Sequence, residues 1–384
     1  MPRIQRKYVF DPHNVGVYHC INRCVRRAFL CGTDNVTRTC FDHRKEWLQA
    51  RLAFLAGRFG IDLLGFAIMS NHLHVVVRNR PDVVRGWSDD EVARRWLGLF
   101  PLGRDHGDLP PEPSPSQLLT ITSDPARLVV LRERLSNLSW FMRCLVEPIA
   151  RQANRDDNVS GKFWEGRFRC LPILDESALA ACLAYVDLNP IRANAAQTPD
   201  TSQFTSVFER IQSLRSASDG SQTQECTPTD HNPCVPAEPA MAHSEGSPVA
   251  RLNTASKHTS TSSKRIGCAW LSPFEEREDK AGGPVPSARA SNKGCLPMPF
   301  AEYRALLDWT ARQLRRGESD EAAYPPAPIP AGIELTGEGW LRLVRDFSRL
   351  FRRAAGAPKS LREHNKKWHR RRMTGISHSR AIFI

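Results

Sequence analysis

Residues 61–79, IDLLGFAIMSNHLHVVVRN, constrain the fold more than any other part of the chain. Two apolar runs rich in β-branched residues flank Ser70-Asn71, a pair with turn chemistry. Ile61–Met69 reads as one strand and His72–Val77 as the next, so together they predict an antiparallel hairpin. Side chains alternate across a strand, which puts His72 and His74 on one face and Leu73 and Val75 on the other. Two imidazoles so placed can grip one divalent metal. They can equally be ordinary core or surface histidines, because a chain of 384 residues has good odds of containing one His-x-His.

Around this hairpin, strand and helix patterns alternate. Gly16–Asn22 reads as a strand, and Asp42 stands as the N-cap of a helix over 43–58 with Trp47, Leu48, Leu52 and Leu55 on its apolar face. A short helix is expected over Asp89–Leu99, a Pro-rich loop over 101–127 and one long helix over Arg127–Asn154. Arg167–Leu174 reads as a strand that Pro172 assigns to a sheet edge, and Glu176–Leu188 as a helix stopped by Pro190. This order predicts an α+β fold: a ferredoxin-like, split β-α-β antiparallel sheet with helices on one face.

Composition divides the chain into three domains or zones. Residues 1–215 carry the alternating pattern. Residues 216–297 are rich in Ser, Thr and Pro with little apolar periodicity, and read as a disordered linker. Residues 298–384 recover helical spacing, with Trp340, Leu343, Val344, Phe347 and Phe351 as a core stripe, and then turn basic: from Arg352 onward ten Lys or Arg face one acidic residue, Glu363. The whole chain has 54 Lys+Arg against 41 Asp+Glu, a formal net charge of +13, which points to a polyanionic partner and to nucleic acid first. No apolar stretch is long enough to cross a bilayer and the N-terminus has no signal-peptide core, so the expectation is a cytoplasmic, nucleoid-associated protein without a membrane partner. The eleven cysteines include no Cys-x-x-Cys pair and read as free thiols; Cys20, Cys24, Cys31 and Cys40 match no zinc spacing.

A second set of chemistry-bearing residues lies in ALAACLAYVDLNPIRANAA. Tyr185 and Asn189 are four apart and share one helix face, a spacing that suits a nucleophile beside a neutral oxygen ligand, or a packing tyrosine beside a C-terminal helix cap. Basic residues cluster at Arg23, Arg26 and Arg27, at Arg167 and Arg169 around Phe168, and at Lys366, Lys367, Arg370, Arg371 and Arg372. Interleaved with Phe163, Trp164 and Phe168, the second cluster suits phosphate contact and base stacking, and the aromatics suit a hydrophobic core equally well. The third reads as an accessory DNA-binding arm or as a solvated tail.

Taken together, four segments resemble a known family. NHLHVVV is similar to the His-hydrophobe-His motif of the HUH nucleases, and YVDLNPIRA to the tyrosine helix of single-tyrosine HUH transposases, in particular the REP-associated tyrosine transposases. YHCINRCVRR and GKFWEGRFR resemble that family's first strand with its basic loop and the segment before its last strand. The resemblance spans residues 8–200 in the expected order. It implies the HUH endonuclease fold, with Tyr185 as nucleophile, His72, His74 and Asn189 as ligands of Mg2+ or Mn2+, and a function as a DNA transposase. Such an enzyme cleaves and rejoins single-stranded DNA at hairpin-containing sites through a 5′-phosphotyrosine. The alternative is a non-cleaving DNA-binding protein on the same fold. Monomer and homodimer both stay open. The Pro-rich insertion over 101–127 and the tail beyond 215 depart from the family pattern and bear on specificity more than on chemistry.

Overall fold

The computed structural model describes residues 9–25, 30–33, 38–102, 112–221, 268–275, 288–316, 327–330, 332–333, 335–368 and 376–383. The elements run β1 (Gly16–Arg23), α1 (His43–Ala56), β2 (Ile61–Ile68), β3 (His72–Asn79), α2 (Pro81–Arg85), α3 (Asp89–Leu99), α4 (Pro115–Thr122), α5 (Pro125–Leu135), α6 (Leu138–Asp156), β4 (Arg169–Ile173), α7 (Glu176–Asp187), α8 (Asn189–Arg192), α9 (Ser206–Ser221), α10 (Phe300–Arg316), α11 (Gly337–Leu350), α12 (Pro358–Lys367) and α13 (Ile376–Arg380). The four strands form one sheet in the order β2-β3-β1-β4, every neighbouring pair antiparallel. The chain is thus an α+β protein with the interleaved strand order that the sequence predicts.

The expectation of helices on one face is corrected. Leu63, Phe66, Leu73, Val75 and Val77 pack with α1, α5 and α6 on one side, while Leu64, Ala67, Val76, Leu171 and Ile173 pack with α7, α10 and α11 on the other. The reason lies in the hairpin itself. Every residue of β2 and all but the first of β3 is buried, and a strand that is apolar on both faces needs cover on both.

Three local expectations also change. Residues 101–127 are not loop throughout: Ser114 and Gln117 form a reciprocal capping box that starts α4. The helix expected over Arg127–Asn154 is two helices, because the Asn137 side chain accepts from the backbone N–H groups of Ser139 and Trp140 and so begins α6 anew. Asp42 precedes α1 but makes no side-chain cap; it accepts from the Gly32 N–H and pairs with Lys45 instead.

The region assigned to a linker is not one throughout. Helix α9 carries on to Ser221, and residues 268–275 and 288–297 lie against the sheet, with Trp270 and Leu271 buried and the Ser272 N–H donating to the Leu63 carbonyl at 2.9 Å. A few apolar residues in a polar segment were enough to fill a gap in the core beside Phe66. The C-terminal helices pack in the core on the other face, with α7. Ala355 accepts from the Leu174 N–H and donates to the Pro172 carbonyl, extending the β4 edge where Pro172 sits. Among the described residues no helix is long and apolar enough to cross a membrane.

A candidate active site on the α7 face of the sheet

Helix α7 is set down against β2 and β3 by three devices. Asp175 caps its first turn through Ala178 N–H at 2.9 Å, and the other carboxylate oxygen accepts from Ala357 N–H at 2.7 Å, tying the helix start to the C-terminal segment. Gly65, at a bulge in β2, lets the helix come close: a Cβ there would stand 2.6 Å from Leu183 Cδ2. Asp187, fully buried at the helix end, accepts from Ser206 Oγ, the Val207 N–H and Tyr303 Oη at 2.6, 3.0 and 2.8 Å. Burial pushes the Asp187 carboxyl up against these donors and Arg210, all of which favour its charged form. The effect is to fix the rotation of α7 and hence the direction in which Tyr185 points.

That direction is toward the histidines. The Tyr185 ring centre lies 5.6 Å from that of His74 and 6.0 Å from that of His19, edge-on to both. His72 and His74 project from the α7 face of β3 with ring centres 4.7 Å apart. Leu188 interrupts the helix before Pro190, and α8 restarts at Asn189 with proline in its first turn. Asn189 is therefore not a cap: its amide Nδ2 donates to His74 Nε2 at 3.0 Å. The other nitrogen of the same ring, Nδ1, shares a 2.8 Å hydrogen bond with Nε2 of His19 on β1. His74 is 2% exposed and His19 1%. Burial pushes the His19 imidazole down to about 3 and His72 to about 4, and His74 well below its ordinary range. Arg169 adds to the effect on His19, Arg23 to that on His72, and the neighbouring histidines with Arg192 and Arg23 to that on His74. All three rings are therefore neutral at pH 7, the state in which imidazole binds a metal.

The charges around these rings are arginines. Arg23 stands directly opposite His72 in the β1–β3 register, and Arg169 lies on β4 opposite Ile21. Arg192 sits with its guanidinium 4.5 Å from the Tyr185 ring centre. Two of the three reach helix α11 or its C-cap: Arg192 donates to the Arg345 carbonyl at 3.0 Å and Arg169 to the Phe351 carbonyl at 3.3 Å. Helix α11 also lays Phe347 on the tyrosine, with ring centres 5.5 Å apart, so that Tyr185 is only 7% exposed.

The structure thus brings Tyr185, His72, His74, Asn189, Arg23 and Arg169 to one end of one sheet face. Arg167 is exposed on the loop leading to β4, a loop held to the end of β1 by Val25 N–H to the Phe163 carbonyl and Glu165 N–H to the Arg23 carbonyl. Phe163, Trp164 and Phe168 are buried in the core, which removes them as stacking surfaces. Lys366 and Lys367 lie exposed on α12, where Lys367 is paired with Asp11 at 2.8 Å. Arg26, Arg27, Arg370, Arg371 and Arg372 fall outside the described residues. Sequence reasoning missed His19, Arg192 and Phe347. Arg192 carried a usable signal, seven residues beyond Tyr185 and so on the same helical face. Among the described residues no group of three or more His, Cys, Asp or Glu is placed to hold a metal ion.

No family model matches the chain, and no curated protein matches it. Among solved structures, that of a REP-associated tyrosine transposase bound to a REP hairpin is similar to it with a TM-score of 0.33 and 10% sequence identity, covering 55% of this chain and 86% of that one. A likeness of that size leaves the geometry of the site as the ground for a functional reading.

Proposed function

We propose that this protein is a metal-dependent, single-tyrosine nuclease and strand transferase of the HUH type, acting as a transposase on single-stranded or hairpin DNA. One observation carries the reading: a tyrosine, an amide and two strand histidines meet on one sheet face, with the Tyr185 ring 5.6 Å from His74 and Asn189 bonded to that same imidazole.

The donor set suits a divalent ion. His74 Nε2 and the Asn189 amide end are 3.0 Å apart, close enough for one ion to be held by both. Exchange of the two ends of the amide offers its oxygen. His72, His74 and Asn189 would hold Mg2+ or Mn2+, which supplies charge neutralisation at a phosphate oxygen. The chain's own residues do the rest. Tyr185 Oη gives up its proton to solvent and attacks phosphorus, the bond from phosphorus to the 3′-oxygen breaks, that oxygen takes up a proton from solvent, and the 5′-phosphate stays on the tyrosine. A second 3′-hydroxyl then displaces Tyr185, so strands rejoin without an external energy source. Arg23, Arg169 and Arg192 balance phosphate charge around the reacting atoms.

The test is a labelled hairpin oligonucleotide with a single-stranded flank, incubated with the full chain and Mn2+. The expected result is a covalent protein–DNA adduct that Tyr185→Phe and chelation both abolish. Nicking that survives Tyr185→Phe would assign the chemistry to water instead. Burial of Tyr185 under Phe347 favours a second reading, a DNA-binding protein that no longer cleaves. That reading predicts tight binding with no adduct under any metal.

A further inference from the structure

We infer that His19 is a positioning residue that fixes the ring orientation and tautomer of His74, leaving the Nε2 lone pair of His74 available to a divalent cation. The inference rests on the metal-dependent reading above and adds a residue to it.

His74 has two ring nitrogens, and both are engaged. A neutral imidazole has one N–H donor and one acceptor. With Asn189 Nδ2 as donor to Nε2, Nε2 is the acceptor and the ring proton belongs on Nδ1; exchange of the amide ends on metal binding leaves that same lone pair to the cation. The Nδ1–H then donates to His19 Nε2 at 2.8 Å. In turn His19 Nε2 has to be unprotonated, with its own proton on Nδ1. The three groups make one consistent chain of donors, and each depends on the next.

Packing makes the chain rigid. His19 and His74 face each other from neighbouring strands, His19 opposite Val76 and His74 opposite Ile21, with rings nearly parallel at 19° and centres 5.0 Å apart. His19 is also in ring contact with Tyr185 and Phe347. It is therefore walled in by the sheet below and by α7 and α11 above. A metal-binding histidine whose second nitrogen is held in this way keeps its lone pair aimed and its basicity raised.

The experiment needs no DNA. Long-range proton–nitrogen NMR correlation on the full chain reads which nitrogen of His74 carries the proton, and Mn2+ titration followed by electron paramagnetic resonance reads affinity. The wild type is expected to show His74 protonated on Nδ1. His19→Phe keeps a ring of similar size but cannot accept, and is expected to weaken Mn2+ binding about 10- to 100-fold, whereas His19→Gln keeps an acceptor within reach and recovers most of the loss. A His74 proton on Nε2 in the wild type overturns the inference, as does a wild type that binds no Mn2+ or a folded His19→Phe protein that binds it undiminished. Should His19→Phe fail to fold, the wild-type tautomer decides. The two readings fail separately: Mn2+ binding with the expected tautomer but no tyrosine–DNA adduct removes the strand-transfer function and leaves His19 in place. An adduct together with undiminished Mn2+ binding by His19→Phe does the reverse.

Discussion

Three histidines held neutral, His19 and His74 buried and His72 half-buried, should make folding stability depend on pH. Burial, helped by the nearby arginines, depresses His72 to about 4 and His19 to about 3 in the folded chain. In the unfolded chain both titrate near ~6.5. Between these values the unfolded state binds more protons, so stability is fully present above about 6.5 and falls as pH drops toward 4, by up to about 1.4 kcal/mol per pH unit for each histidine. Urea melts at a series of pH values should show the midpoint falling through this window, and His72→Asn should flatten the slope. A midpoint independent of pH between 7 and 4.5 would contradict the burial assigned to these rings. The same residues show what a sequence can and cannot display. His72 and His74 are two apart on a strand and Tyr185 and Asn189 four apart at a helix end, so local periodicity alone puts each pair on one face. His19 has no such neighbour: its partner is 55 residues away, and only the β1–β3 register brings them together.

At the scale of elements, the decisive contact is that of α7 on β2. Gly65 is there for closeness, because a methyl group would meet Leu183 Cδ2 at 2.6 Å and Ser206 Oγ at 3.1 Å. Leu183 is buried and has little room to turn away. Gly65→Ala should therefore cost about 1–3 kcal/mol by overpacking and lift α7 from the sheet. Because Tyr185 lies two residues beyond Leu183, adduct formation should fall by more than the loss of folded protein explains. Thermal melts and adduct assays on the same preparation check this, and unaltered adduct formation at full occupancy of the fold would show that the contact does not set the tyrosine's position. The helix, the hairpin and the edge position of Pro172 were legible as local patterns. The split between α5 and α6 was not, since a single asparagine cap inside an otherwise helical run decides it. Nor were the helices on the second face, although the unbroken apolar run of β3 held the clue.

The whole molecule sets stability against access. The apolar stripe of α11 is plain in the sequence, but nothing local says what it covers; in the structure it covers Tyr185, and the Arg345 carbonyl in the helix and the Phe351 carbonyl at its C-cap accept from Arg192 and Arg169. The Phe351 carbonyl lies at the negative end of the helix, and a phosphate would compete with both carbonyls for the same guanidinium groups. On the strand-transfer reading, DNA reaches Tyr185 only when α11 gives way. Phe347 is the hinge of that argument, being fully buried between Tyr185, His19 and Phe351. Phe347→Ala should destabilise the fold by about 3–5 kcal/mol, the usual cost of truncating a buried phenylalanine. In the same protein it should open the tyrosine: nitration of Tyr185 by tetranitromethane should speed up, and so should adduct formation with single-stranded DNA, at temperatures where the chain is still folded. A variant that loses stability while Tyr185 becomes no easier to nitrate would mean that α11 covers the core but not the way to the tyrosine.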